Sequence, residues 1–162
     1  MSVSNEKLKT YKTDRYTINV LEQVYSTWMK FKQVKPFQKE ACGVLIGSYD
    51  FITHEITIEV CTSPFKKDIS KRFSFTLKDL GHQKVVDAQH NKSAGESFYL
   101  GTWHTHPESN PTPSTIDIND WNKCIIRNPQ IPIFLFVIVG IDKNYFEVRT
   151  NNKFDYNYFE KK

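Results

Sequence analysis

Cysteine is scarce and unpaired in this chain. Cys42, Cys61 and Cys124 are an odd number with no Cys-x-x-Cys spacing, which argues against both a disulfide framework and a thiolate zinc finger. Each is read as a buried thiol. No apolar run approaches the roughly 18 residues of a membrane span, so no membrane association is expected. The opening MSVSNEKLKTYKTDR lacks the apolar stretch of a secretory signal, and a cytoplasmic location is the expectation. There is no internal repeat, low-complexity tract or linker-like stretch. Positive charge is in modest excess, +4, but scattered. That falls short of the concentrated basic footprint of a dedicated nucleic-acid binder, and no nucleic acid is expected as partner.

What is present suits one packed domain over residues 1–162. Hydrophobic residues make up 39% of the chain and aromatics 14%, enough for a core at this length. From Ile18 to Phe31, apolar side chains at Ile18, Leu21, Val24, Tyr25, Trp28 and Phe31 carry helical spacing, with Lys30, Lys32 and Lys35 at the basic end and Pro36 as the stop. EACGVLIG from Glu40 reads as a buried strand. The alternation of Ile56, Ile58 and Val60 in FITHEITIEVC makes a second strand, paired to the first by a hairpin. The stretch TSPFKKDISKRFSF is a loop entering a short extended piece at Phe73 and Phe75, placed to overhang a site.

Leu77 to Lys92 has a helical pattern weakened by Gly81. SFYLGTWHTH reads as a strand with Phe98, Leu100 and Thr102 on one face. Asn110 to Pro113 breaks regular structure, Ser114 to Ile126 is a helix, Ile131 to Val139 a buried strand, and Tyr145 to Thr150 the last strand. This order implies an α/β layer protein with a mixed sheet.

The chemistry concentrates after the SFYLGTW strand. His104 and His106 share one face of it because side chains at i and i+2 do, so both imidazoles can turn to one ion. An open zinc site needs a third protein ligand, and Asp117, in the first turn of the following helix, is the best candidate. Ser114 and Asp117 equally match a capping box, in which the serine accepts from the amide of the aspartate and the acid reaches back to the amide of the serine. A general base is also required, and Glu40, Glu55, Glu59, Glu96 and Glu108 are all available; the apolar, glycine-punctuated strand after Glu40 favours that residue.

Taken together, His104-Thr105-His106-Pro107, Ser114 and Asp117 resemble the signature of the JAMM, or MPN-plus, zinc metalloproteases. Glu40-Ala41-Cys42-Gly43-Val44-Leu45-Ile46-Gly47 looks like that family's upstream glutamate and strand. The resemblance spans Glu40 to Trp121 and implies a cytidine-deaminase-like fold with a curved mixed sheet flanked by helices. It further implies one Zn²⁺ per chain on His104, His106 and Asp117, with Glu40 as the base for the attacking water and Ser114 as a donor to the oxyanion.

Gly101-Thr102-Trp103 before the first histidine, and Trp121 after Asp117, look most like small bacterial members that accompany ubiquitin-like conjugation in CBASS anti-phage systems. That resemblance implies a deubiquitinase-like isopeptidase cutting an amide at the C-terminus of a cGAS-like nucleotidyltransferase (CD-NTase) or a ubiquitin-like protein. Its partners would be those conjugates and the activating and conjugating enzymes of the same system. Two alternatives are a RadC-like DNA-repair-associated protein, from which Glu108-Ser109 departs where Ser-Gly is usual, and a non-catalytic MPN scaffold. Cys42 stands where glycine is common in relatives.

Overall fold

A computed structural model describes residues 8–72 and 74–150. Phe73, expected in the extended piece over the site, lies outside them. The main sheet has seven strands: β1 (Leu8–Lys12), β2 (Thr17–Leu21), β3 (Cys42–Asp50), β4 (Glu55–Cys61), β7 (Phe98–Thr105), β8 (Ile133–Val139) and β9 (Asn144–Thr150), in the order β1-β2-β4-β3-β7-β8-β9. Two adjacent pairs, β2 with β4 and β7 with β8, are parallel and the rest antiparallel. The α/β class and mixed sheet expected from sequence are therefore present, as is the β3–β4 hairpin.

The sheet curls until its two edges approach each other: the rings of Tyr11 on β1 and Phe146 on β9 lie 4.5 Å apart. Inside the curl sits α1 (Glu22–Phe31), which buries Val24 and Trp28, four apart on one helix face. Trp28 also meets Phe146 at 6.2 Å. Around α1 pack Ile18, Val20, Leu45, Ile56, Ile58 and alternate residues of β8.

The convex face is covered by α2 (Gly81–Lys92) and α3 (Thr115–Arg127). Trp121 of α3 stacks on Phe136 with the planes 10° apart, while Val86 of α2 packs on Val44 and Ile46. Both faces of β8 are thus covered and all seven of its residues are buried, which is why its sequence runs apolar without alternation.

Three expectations need correction. The helix read from Ile18 to Phe31 is two elements: Thr17–Leu21 is strand β2, and only Glu22–Phe31 is helical. Ile18 and Val20 satisfy a period of two as well as Ile18 and Leu21 satisfy one of three, and pairing on both sides, with β1 and β4, decides for strand. The helix also ends before Pro36, at Lys32, whose backbone turns extended.

Leu100 and Thr102 do not share a face. Gly101 has φ +152°, and β7 carries one extra residue against β3 there, Leu45 facing Gly101 and Ile46 facing Tyr99. This bulge sends Leu100 toward α1 and turns Thr102 to the opposite side, where it lines the groove beside α3. A Cβ at Gly101 would sit 2.0 Å from the carbonyl oxygen of Leu135, so the close approach of β8 demands glycine. The third correction is small: Leu77–Leu80 precede α2, which begins only at Gly81.

The overhanging stretch forms a small hairpin, β5 (Ile69–Ser70) with β6 (Phe75–Thr76). Its base is pinned by Asp68, whose carboxylate accepts from the backbone amides of Phe65, Lys78 and Asp79 and meets Nε2 of buried His82 at 2.6 Å. Nδ1 of His82 in turn meets the Thr62 hydroxyl at 2.6 Å.

Candidate metal centre and active site

The Gly101 bulge has a direct consequence for the two histidines. Unbroken alternation would put His104 and His106 on the same side as Leu100, against α1. The flip of one residue aims both instead at the N-terminus of α3. Trp103 and Thr105 then point back toward α1, where Trp103 is fully buried and donates from Nε1 to the Thr62 carbonyl at 2.8 Å. His106 lies just past the end of β7, and its backbone N–H donates to the Val139 carbonyl at 3.0 Å, continuing the pairing with β8.

Asp117 arrives from the other side. Ser114 is the N-cap of α3, and both halves of the capping box are made: Ser114 Oγ accepts from the Asp117 N–H at 3.1 Å, and Asp117 Oδ2 accepts from the Ser114 N–H at 2.8 Å. The capping reading and the ligand reading of Asp117 are therefore compatible. Oδ1 lies 3.1 Å from His104 Nε2 and Oδ2 3.2 Å from His106 Nε2, while the two Nε2 atoms are 3.1 Å apart.

The three side chains form a triangle whose candidate donor atoms, one from each residue, lie within 4.8 Å of one another. Two imidazoles and one carboxylate are a donor set compatible with a divalent ion such as zinc, one short of the four ligands of a tetrahedral site. All three residues are buried. The chemistry of the set fits too. His104 Nδ1 is buried with no hydrogen-bond partner among the described residues. Burial holds the His104 pKa below its ordinary value and favours the neutral, ligating form.

Burial would push Asp117 up, but hydrogen bonds from both imidazoles and from the Ser114 amide outweigh it and hold the carboxyl far below the usual range. At His106 burial acts downward and is outweighed by Asp117, with help from Glu40 and Glu108, so its pKa rises. The helix N-terminus adds to the preference for an anion at Asp117.

Glu40 lies in the loop before β3, 4% exposed, with Oε1 3.9 Å from His106 Nε2. Burial pushes its carboxyl up to about 8, against a downward pull from His106. Of the five glutamates left open by sequence, this one faces the ligand triangle. Glu59 is engaged at 2.5 Å with the Ser97 hydroxyl, and Glu55 and Glu96 lie on the surface. Glu108 meets the far nitrogen of His106, Nδ1, at 3.1 Å while half exposed. There it orients the ring.

Ser114 is exposed at the rim, and its Oγ serves the cap as acceptor, so its hydroxyl proton is not consumed by it. Phe75 of the hairpin covers His104 with ring centres 4.9 Å apart, so the expected overhang is present. Beside the triangle runs an open groove of about 420 Å³, lined by Asp117, Trp121, Thr102, Tyr99, Phe75 and Thr76.

Cys42 pairs with His104 across the sheet and is fully buried. Burial, with smaller pushes from Asp68 and Glu40, raises its thiol to about 12. It is a packed thiol outside the set of His104, His106 and Asp117. Sequence reasoning missed Gln33 and Thr105, which are buried behind the site; the position of Thr105 between two same-face histidines was the one available signal, since it had to point the other way.

Residues 23–151 match a family described as prokaryotic homologs of the JAB domain. A CD-NTase/cGAS isopeptidase of Pseudomonas aeruginosa is 33% identical over 135 residues, covering 83% of this chain and 84% of the relative. A protein of the same description from Vibrio cholerae is 31% identical over 121 residues, 75% of this chain and 74% of the relative. The solution structure of protein DSY2949 from Desulfitobacterium hafniense superposes with a TM-score of 0.51 at 21% identity, over 81% of this chain and 82% of that one, a likeness of fold. The chain belongs to the JAB (JAMM/MPN) family.

Proposed function

We propose that this protein is a zinc-dependent, deubiquitinase-like isopeptidase that cuts an amide at the C-terminal carboxyl of a CD-NTase (cGAS-like) protein and so reverses its conjugation in bacterial CBASS defence. It acts in the cytoplasm as a single domain over residues 1–162 with one ion per chain. The observation that carries this is the convergence of His104, His106 and Asp117 on one point with Glu40 facing them. The description of the relatives as CD-NTase/cGAS isopeptidases supports the substrate class. Persistence of the full residue set argues against the scaffold alternative. The scattered charge and Glu108-Ser109 disfavour the RadC-like one.

His104, His106 and Asp117 would hold the ion, which supplies a Lewis acid that acidifies water and polarises a carbonyl. Glu40 then does the proton work. A carboxylate destabilised by burial is a stronger base than one in water, and a cation held beside it would favour its ionised form, which suits a group that must accept a proton and give it back. It takes the proton of the attacking water and passes it to the departing amine.

The Ser114 hydroxyl donates to the oxygen on which negative charge develops, a donor of the kind worth roughly 3–4 kcal/mol in the transition state. The substrate tail lies extended in the groove along β6, Phe75–Thr76, where a short strand can add its backbone.

The test is incubation of the purified protein, zinc-loaded or chelator-stripped, with a CD-NTase joined through its C-terminal carboxyl to a lysine amine. The expected result is a mass loss equal to the leaving partner, abolished by chelation and restored by zinc. Intact substrate in the presence of stoichiometric zinc would sink the proposal.

A further inference from the structure

Glu40 has no strand to hold it. It sits between the end of α1 and the start of β3, and its backbone N–H donates to the carbonyl of Lys71, in the turn of the β5–β6 hairpin, at 2.8 Å. Base and overhanging turn thus lean on each other, and both are loops. Besides the Asp68 anchor at the base of the hairpin, a buried amide side chain, Gln33, 2% exposed, ties the pair to the rest of the molecule. Its Nε2 donates to the carbonyls of Gln38, 3.0 Å away, and Arg72, 3.3 Å away. Its Oε1 accepts from the Thr105 hydroxyl at 2.8 Å. Thr105 Oγ1 accepts in turn from the Ala41 N–H at 2.9 Å, and the Thr105 N–H donates to the Ala41 carbonyl at 3.0 Å.

The orientation of the amide is dictated, since a flip would set its oxygen against two carbonyls and its nitrogen against the hydroxyl's proton. Glutamate fails for the same reason, and no apolar residue supplies donors. Thr105 stands between His104 and His106. The chain of contacts therefore links the β7 strand to residues 38–41 and 71–72 through one buried hub, on the side of β7 away from the His104 and His106 rings.

Resting on the reading of Glu40 as base, we infer that Gln33 is a positioning residue that, through Thr105, sets the Glu40 carboxylate and the hairpin turn at a fixed distance from the His104–His106 arm. The ligands do not depend on it, because β7 and the α3 cap hold them independently.

Gln33→Met keeps the length and removes every hydrogen bond. Measured on the full chain, kcat on the amide-linked substrate should fall about ten- to hundred-fold, the scale of a misplaced reacting group. KM and zinc affinity by chelator competition should stay within about threefold, and hydrogen exchange should quicken at the Glu40, Ala41 and Lys71 amides. Thr105→Val, a milder variant for the case in which Gln33→Met does not fold, should show the same pattern, and the double variant should be no slower than the worse single one.

A lowered melting temperature with kcat within twofold of the parent would mark Gln33 as merely structural and overturn the inference. So would unchanged exchange at residues 40–41. Glu40→Gln, run in parallel, tests the underlying reading: parental turnover there removes Glu40 as base, while the exchange result still judges the tether.

Discussion

The two halves of the proposed site, its ligands and its base, are built on different principles. The ligand half rests on regular structure: His104 and His106 are set by the β7–β8 ladder and the Gly101 bulge, and Asp117 by a complete capping box at the start of α3. The base half rests on loops, with Glu40 hung between the segment before β3 and the hairpin turn and steadied by buried side-chain amide and hydroxyl groups. Strand and helix positions are rigid and shared by many hydrogen bonds, whereas a loop is only as fixed as its few ties. Metal binding should therefore tolerate changes that catalysis does not, and substitutions in each half should separate the two.

The largest effect is expected in the ligand half. His104→Ala or Asp117→Ala should lose both zinc and cleavage, zinc measured by metal analysis after desalting and turnover by mass shift. Asp117→Ala also removes half of the capping box, a loss of about 1 kcal/mol in its own right, so its melting temperature without metal should drop while that of His104→Ala moves less. Stoichiometric zinc in either variant would break the comparison at its root.

Next comes Glu40→Gln, which should retain zinc at parental affinity and lose about 10²- to 10⁴-fold in turnover, the span of general-base contributions. Equal loss of metal and activity would show that the halves are one.

The same substitution carries a stability effect of opposite sign. The folded state holds the Glu40 proton to about pH 8, whereas an unfolded glutamate releases it near 4.3. Between those values the folded protein binds more protons, so its stability falls as pH rises through that window. Removing the charge removes the cost. Metal-free Glu40→Gln should match the parent below about pH 4 and exceed it increasingly up to about pH 8, by about 2 kcal/mol once solvent screening at the mouth of the site is allowed for. Denaturant melts across pH check this, and a gain independent of pH would show that burial does not strain this carboxylate.

The division also explains what the sequence disclosed. His104 and His106 were legible as a pair because strand periodicity turns spacing into direction, and Asp117 was a candidate by its place in the first turn of the next helix; the roles of Asp117 and Ser114 came with the resemblance to a family. The buried, non-alternating run of β8 was legible by length. Glu40 was singled out by resemblance to a family, since five glutamates were chemically eligible and only three-dimensional approach separates them. Gln33 left no trace, because a polar residue just past a helix end looks like surface until the hairpin folds over it. Ile18–Leu21 was misread for a related reason: four residues satisfy two periodicities, and the strands on either side choose between them. The bulge at Gly101 was invisible as such, although without it the histidines would face α1 and the expected convergence would fail.

The smallest effect is expected at Cys42, which adjoins both halves and should belong to neither. It is fully buried and paired with His104 across the sheet, and its thiol stays protonated at any working pH. Cys42→Gly should leave turnover and zinc near parental values, because no reacting or ligating atom is removed. Stability should fall by about 1–2 kcal/mol, the sum of a lost small apolar side chain and added backbone freedom in a strand. Melting curves and steady-state rates on one preparation separate these outcomes. A tenfold loss of rate with zinc intact would mean that the packing of β3 against β7 sets the reach of Glu40, and the base half would then depend on the sheet as much as on its loop ties.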